Sequence, residues 1–501
     1  MNYRAISIMQ TSPPTSATEP GVVRPQLKRA LGLPALVVYG IILIQPTAPM
    51  PLYGVAHNTA HGHVVTLILI GMAAMLFTAL SYGRMANAYP SAGSAYAYVS
   101  REIHPAPGYL TGWSMMFDYV MNPIICVIWC GKATVDLHIL PFVPVWAWFV
   151  IYGVLFTVLN LRGIEASART NTLLAAGLGV VILLFFGAAI HYLFQNPPAD
   201  AAALGRPFYD PATFSWKAIS SGAALAVLTY IGFDGISTLS EEVHNPRRNV
   251  LLATVLVCLI TGVLASLEVY TAQLVWPKPA STFPSLENAF SHVAGLVGGH
   301  TLFVIVTASL LVATIGSGTG AHLGAGRLLY GMGRDNAISR KFFAYINPRT
   351  RVPSNNIILV GAIALVAAFV LNYFKPLARE TFGLLAKIGI HYRGGEPPDG
   401  YDLGAQLLNF GALFGFMGVN LSALIHYYVR GRDRRLRHLI PPILGFLICL
   451  YLWASLAWIT LIIGVCWLLA GVLYGAWRTS FFTKPLQFAP IESDDGPQSN
   501  G

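Results

Sequence analysis

The stretch TYIGFDGISTLSEE (229–242) closes an apolar run and carries three carboxylates. Gly232 and Gly235 flank Asp234, and each glycine costs a helix roughly 1 kcal/mol relative to alanine. An ionisable group inside an apolar span costs more. A helix broken at 231–235 exposes carbonyls at one half-helix end and N–H groups at the other. The carbonyls can hold an ammonium group and the N–H groups a carboxylate. Asp234 adds a fixed negative charge for an amine, with Gly232 at the break and Tyr230 and Phe233 as apolar walls or cation–π partners. Asp234 can equally be a helix cap or hinge. Glu241 and Glu242, two turns on, suit a gate or a structural network with Arg247 and Arg248.

A second break stands in VVYGIILIQPTAPMPLYGVAH (37–57). Each proline removes a donor and clashes with the preceding turn, at about 3 kcal/mol in a helix interior. Pro46, Pro49 and Pro51, beside Gln45, Thr47 and Ala48, do not read as continuous helix. Non-helical backbone at membrane depth survives only where protein or a watery cavity covers it, so Gln45, Thr47 and Ala48 are candidate substrate contacts.

Other chemistry-bearing residues are sparse. Asp118, with Tyr119 and Asn122 in FDYVMNP, is a candidate second carboxylate for a diamine or a packing hydrogen bond near Pro123. Lys132 and Asp136 are spaced to satisfy each other on one helix face. Glu268 is a proton site or, preferably, an acid solvated at a span's outer end. In ATIGSGTGAH (313–322), Thr314, Ser317 and Thr319 can coordinate an ion or serve as small packing residues, the commoner role. Thr314 and Ser317 are carried as coupling or gating candidates. Cys126 and Cys130, a turn apart without His or carboxylate partners, read as packing residues rather than a metal site. His57, His61 and His63 read as solvated loop residues.

These residues must be positioned inside a membrane. The 501-residue chain is 55% hydrophobic and 10% charged, far below the charge of soluble domains. Runs without Asp, Glu, Lys or Arg, such as Ala30–Gly83 and His438–Trp477, are long enough for one span or two. Twelve helical spans are expected near 33–55, 64–83, 108–135, 143–161, 171–194, 218–240, 249–275, 299–327, 355–374, 405–429, 440–456 and 457–477. No alternating pattern supports a barrel. Net charge is +10, but Lys and Arg gather on alternate loops, including RGRDRRLRH (430–438). The positive-inside rule then sets both termini in the cytoplasm, and no nucleic-acid partner is expected. Residues 1–30 and 481–501 read as disordered cytoplasmic tails around a transporter domain at 31–480. An amphipathic helix is expected near Ala378–Ile388 in a long outer loop.

Breaks in spans one and six, five apart, point to two inverted five-helix repeats (33–194 and 218–429) plus two extra helices (440–477). The expected fold class is therefore all-α integral membrane, about twelve transmembrane helices with broken helices 1 and 6.

GFDGISTLSEEVHNPRRNV (232–250), SYGRMANAYPSAGSAYAYVSREIHPAPGYLTGWSMMFDYV (81–120) and GRLLYGMGRDNAISRKFFAYINPRTRVPSNNI (326–357) resemble the amino acid–polyamine–organocation (APC) transporter superfamily. TLSEE, INPRTRVPSNN and LLNFGALFGFMGVNLS (407–422) resemble its bacterial putrescine importers and related permeases. The resemblance implies import by alternating access across the cytoplasmic membrane, driven by an ion gradient, usually protons. The implied partners are an amino acid or polyamine such as putrescine, a proton and the lipid bilayer, with no cofactor, no metal and no enzymatic activity. An exchanger or a non-transporting nutrient sensor are the alternatives. Two departures matter. QPTAPMPLYG replaces the family's Gly-based carboxylate cradle, leaving N–H groups near Thr47–Gly54 to serve. The fifth span, LLAAGLGVV (173–181), lacks the Lys that many proton-coupled relatives place there.

Overall fold

The computed structural model describes residues 31–89, 94–162, 168–239, 243–387, 398–431 and 435–478. Both expected tails, Glu241 and Glu242 lie outside the described residues. The described chain is helical. Its elements are α1 (Leu33–Ile44), α2 (Pro49–Thr59), α3 (Val64–Ala88), α4 (Ser94–Glu102), α5 (Pro105–Asp136), α6 (Val145–Leu161) and α7 (Ala168–Gln195). The second half holds α8 (Trp216–Ala226), α9 (Gly235–Thr238), α10 (Pro246–Val275), α11 (Ala289–Arg334), α12 (Arg340–Phe343) and α13 (Ser354–Asn372). It ends with α14 (Phe374–Lys387), α15 (Gly400–Leu424), α16 (Leu436–Ala454) and α17 (Trp458–Arg478). Ten helical spans are long and apolar enough to cross a membrane, and the bent pair α1–α2 makes an eleventh. The 17-residue α6 sits at the short end of crossing lengths and completes the twelve read from sequence. An even number of crossings puts both ends of the described chain on one face, here called the terminal face.

The first break follows from its prolines. A residue before proline is driven out of helical geometry, and α1 ends at Gln45, which takes φ +69. The chain turns by 51° and restarts with Pro49 at the first position of α2, where a missing N–H is tolerated. In the sixth span, α8 tightens into a 3₁₀ turn over Val227–Tyr230, and Ile231 is extended. Gly232 takes φ +122, a conformation that L side chains avoid, before α9 resumes. The two breaks touch. A Cβ on Gly232 would lie 3.0 Å from the carbonyl carbon and oxygen of Leu43 and 3.2 Å from the nitrogen of Ile44.

Around this crossing, α5 packs against α4, α6, α11, α13 and α15, while α10 lies along α3 and α1. Three local expectations change. The expected span at 299–327 is the longer part of α11, whose Gly299 takes φ +68 and kinks it from a preceding arm, Ala289–Gly298. His57 and His63 are buried, not solvated. His57 lies inside α2, and His63 Nδ1 and Nε2 face the Ala60 carbonyl at 2.9 Å and the Asp210 N–H at 3.0 Å. Glu268 is likewise fully buried, not solvated at a span end. The expected amphipathic helix at Ala378–Ile388 appears as α14, with Ile388 outside the described residues.

Gly232→Ala should destabilise the detergent-solubilised protein by about 1–3 kcal/mol, the range for a side chain forced into an unfavoured backbone region. Gly177→Ala, inside α7 where a new Cβ meets nothing within 4 Å, should instead raise the melting midpoint slightly, by about 0.4–1 kcal/mol of stability. A melting curve of each variant checks both.

Candidate functional site

A partly open cavity lies beside the two breaks, with about 540 Å³ of empty space that includes open solvent. From the broken spans it is lined by Ile44, Gln45, Ala48, Pro51, Leu228 and Ile231. α5 contributes Asn122, Ile125, Cys126 and Trp129, α11 contributes Thr314 and Ser317, and α15 contributes Tyr401. The α5 residues recur at helical spacing, so one stripe of that helix forms a wall. Gln45 donates through Nε2 to the Ala313 carbonyl, which ties the first break to α11. Cys126 Sγ lies 3.4 Å from Asn122 Oδ1. No Asp, Glu, Lys or Arg lines the cavity among the described residues.

Of the residues singled out by sequence, Gln45, Ala48, Thr314 and Ser317 share this wall. Thr47 is buried at the break, and its hydroxyl has no partner. Tyr230 turns away, donating to the Ile68 carbonyl at 2.8 Å. Phe233 packs into an aromatic group with Tyr82 and Phe416, ring centroids 5.4 and 5.3 Å away. Tyr98 extends this group through Tyr82 at 6.2 Å. The expectation of Tyr230 and Phe233 as walls is therefore corrected: Tyr230 packs against α3 and α10, and Phe233 plugs the molecule on the terminal-face side of Ile231. Gly232 serves the break rather than the lining.

Asp234 and Asp118 form a second, acidic layer beneath the cavity. Both are buried. Tyr119 donates its hydroxyl to Asp234 Oδ2 at 3.2 Å. The amides of Gly232, Asp234 and Gly235 are turned towards the same carboxylate, although none makes a strict capping bond. Asp118 lies against Gly411, where a Cβ would come 3.1 Å from that of Asp118 and 2.8 Å from its nitrogen. Asp234 is close enough for its charge to act on Asp118. Neither carboxylate reaches the cavity wall; Tyr119, one turn before Asn122 on α5, stands between the layers.

Sequence reasoning passed over Trp129 and Tyr401 and read Cys126 as a packing residue, whereas all three line the cavity. The available pattern was the Asn122–Cys126–Trp129 stripe. Lys132 and Asp136, expected to pair with each other, instead reach across to the loop before α11. Lys132 pairs with Glu287, and Asn288 donates to Asp136. Trp129 Nε1 donates to the Glu287 carbonyl at 3.0 Å. The i,i+4 spacing offered only an exposed helix pair, whereas the loop brings partners that also shed water. Burial works to raise the Glu287 carboxyl, but Lys132 and hydrogen bonds, including one from Ser285, win and hold it below the ordinary carboxylate range. At the terminal face Glu102 is clasped by Tyr89, by His426 at 2.6 Å and by Arg430 at 3.1 Å.

The sequence family agrees with this geometry. The amino acid permease family model matches residues 49–393. The chain is 32% identical to the low-affinity putrescine importer PlaP of Escherichia coli K12, over 93% of this chain and 97% of PlaP. The chain belongs to the amino acid permease family. Among other members, it is 24% identical to the branched-chain amino acid permease BcaP of Bacillus subtilis and 26% identical to that organism's methylthioribose transporter. Each of these alignments covers 89% of this chain and 92% of the relative. This permease is a multi-pass membrane transporter of amino acids or amines, not an enzyme.

In the permease, Lys132→Met and Glu287→Gln should be non-additive in a double-mutant melting cycle, with a coupling of roughly 0.5–1 kcal/mol. Because the folded carboxyl lies below its ordinary value, the stabilisation is complete above that ordinary range. It is lost as pH falls through the lowered value. The gap between wild type and Glu287→Gln should therefore narrow only in acid.

Proposed function

We propose that this permease imports a small diamine of the putrescine type across the cytoplasmic membrane. Its termini are inside, a proton gradient drives it, and the cavity is exposed to each side in turn. The observation that carries the reading is the donor supply at the start of α2. An amino acid substrate needs an anion cradle for its carboxylate, normally the free N–H groups of a half-helix N-terminus. Here Pro46, Pro49 and Pro51 have none. Ala48 and Met50 spend theirs on the carbonyls of Gln45 and Thr47, at 3.1 and 3.0 Å. The expected cradle over Thr47–Gly54 is thus largely stripped at its first turn, and no Lys or Arg lines the cavity to replace it.

A cation without a carboxylate suits what remains. Backbone carbonyls at the breaks, the amide oxygens of Gln45 and Asn122, and the hydroxyls of Thr314 and Ser317 accept from ammonium groups. Trp129 and Tyr401 offer aromatic faces to a cation. Asp234 and Asp118, in the layer beneath, supply a negative field without blocking the floor, and Asp234 receives one ammonium group when Tyr119 gives way. The putrescine importer that aligns over nearly the whole chain supports the same substrate class. The aromatic group of Phe233, Tyr82, Tyr98 and Phe416 supports a closed inner gate in this conformation, and Thr314 and Ser317 act as substrate contacts rather than gates.

The test is uptake by purified protein in liposomes of labelled putrescine against neutral and basic amino acids. Saturable putrescine uptake, stimulated by an inward proton gradient and unaffected by amino acids, is expected. Amino acid uptake without putrescine uptake overturns the substrate. Flux that requires an internal pool of solute makes the protein an exchanger, and binding without flux makes it a sensor.

A further inference from the structure

Glu268, on α10, has no relative exposure, and neither carboxylate oxygen has a hydrogen-bond partner. No other buried carboxylate among the described residues has both oxygens sealed and unpartnered. Asp234 receives Tyr119, Glu287 receives Lys132, and Asp402 accepts from Gln406 at 2.9 Å. Asp118 is also buried and no hydrogen bond holds it, but it lies beside Asp234 in the acidic layer; among the described residues only Glu268 has both oxygens sealed with no partner.

Its position gives that isolation meaning. Glu268 lies three turns beyond Val257 and on the same face of α10, because eleven residues bring a helix back to nearly the same direction. Val257 packs on Gly40 of α1: a Cβ on Gly40 would meet Val257 Cγ2 at 2.7 Å. The first and seventh spans run the same way through the membrane. Three turns, about 16 Å, therefore bring Glu268 level with the first turns of α2, just past the proline break. α2 itself packs against α10. At this level the neighbouring elements present Tyr53 and His57 from α2, His63 before α3, Tyr192 from α7, Tyr230 from the sixth span and His292 from α11. None of them makes a hydrogen bond or ion pair with Glu268.

An ionised carboxylate with no partner is too costly in a dry interior, and such a group takes up a proton instead. We propose that Glu268 is the site of the transported proton, held as a neutral acid in the conformation described here. The inference rests on the proton-driven reading of the transporter. When the cavity opens to the cytoplasm, α2 and α10 part and water reaches the side chain. The carboxyl then releases one proton to that water, leaving a carboxylate. The unloaded carrier returns to the outward-facing arrangement with Glu268 still ionised, and the carboxylate takes its next proton from the outer side, so one proton crosses per cycle. The fifth span, which lacks a Lys, then needs no titratable group.

Two measurements on Glu268→Gln test this. The first is the infrared difference between wild type and variant in lipid at neutral pH, which needs no substrate. A protonated carboxyl band assigned to Glu268 is expected; an ionised carboxylate band in its place overturns the proposal. The second is putrescine accumulation in liposomes. One proton per cycle supports about tenfold accumulation for each pH unit of gradient. The variant should keep putrescine counterflow and lose that tenfold accumulation, and Glu268→Asp should restore it with a shifted pH profile. Wild-type accumulation in the Gln variant overturns the proposal. If wild type moves no putrescine, the substrate reading fails, and the infrared result still decides the state of Glu268.

Discussion

The close approach of two unwound segments organises this protein. The α-carbon of Gly232 lies so near the Leu43 carbonyl and the Ile44 nitrogen that a methyl group there would intrude. Each break alone would leave backbone groups unsatisfied in a membrane interior. Crossing at one point, the two cover each other on one side and border a cavity on the other. The site is therefore a consequence of how two discontinuous helices are made tolerable. Gln45, with its left-handed φ and its amide on the Ala313 carbonyl, extends that tolerance to α11.

Charge is layered around this crossing. The cavity wall is polar but uncharged, and a buried pair of carboxylates lies beneath it, steadied by Tyr119. Beyond them comes an aromatic plug and then the clasp of Glu102 at the terminal face. On the opposite side Lys132, Glu287, Asn288 and Asp136 bind the loop before α11 to the end of α5. Polar groups thus gather where each half-helix ends or where two elements must be fastened, and the intervening faces are apolar. The prolines that break the first span also remove the donors an anion would use, so one local sequence feature shapes both architecture and selectivity.

Much of the fold was legible in the sequence because hydropathy and proline chemistry are local. Twelve spans, the break at 45–51 and the break at 231–235 are properties of short windows, and they appear where expected. The site was less legible because its walls come from distant segments. Gln45, Ala48, Thr314 and Ser317 converge, yet nothing local marked Trp129 and Tyr401, and Cys126 read as a packing residue. Side-chain direction was the other hidden quantity. Tyr230 and Phe233 sit beside the break in sequence, but the turn at Gly232 sends them into neighbouring helices. Pairing failed similarly at Lys132, where helix spacing suggested Asp136 and the tertiary structure supplied Glu287. Burial of Glu268 and His57 likewise depends on neighbours that no local window contains.

The central claim is that the stripped first turn of α2 excludes a carboxylate while the cavity accepts amines. Putrescine and ornithine differ by one α-carboxylate, so calorimetric titration of each into the same purified protein isolates that claim. The account predicts heat of binding with putrescine and none with ornithine at the same concentrations. Ornithine binding as tightly as putrescine, or more tightly, would contradict it.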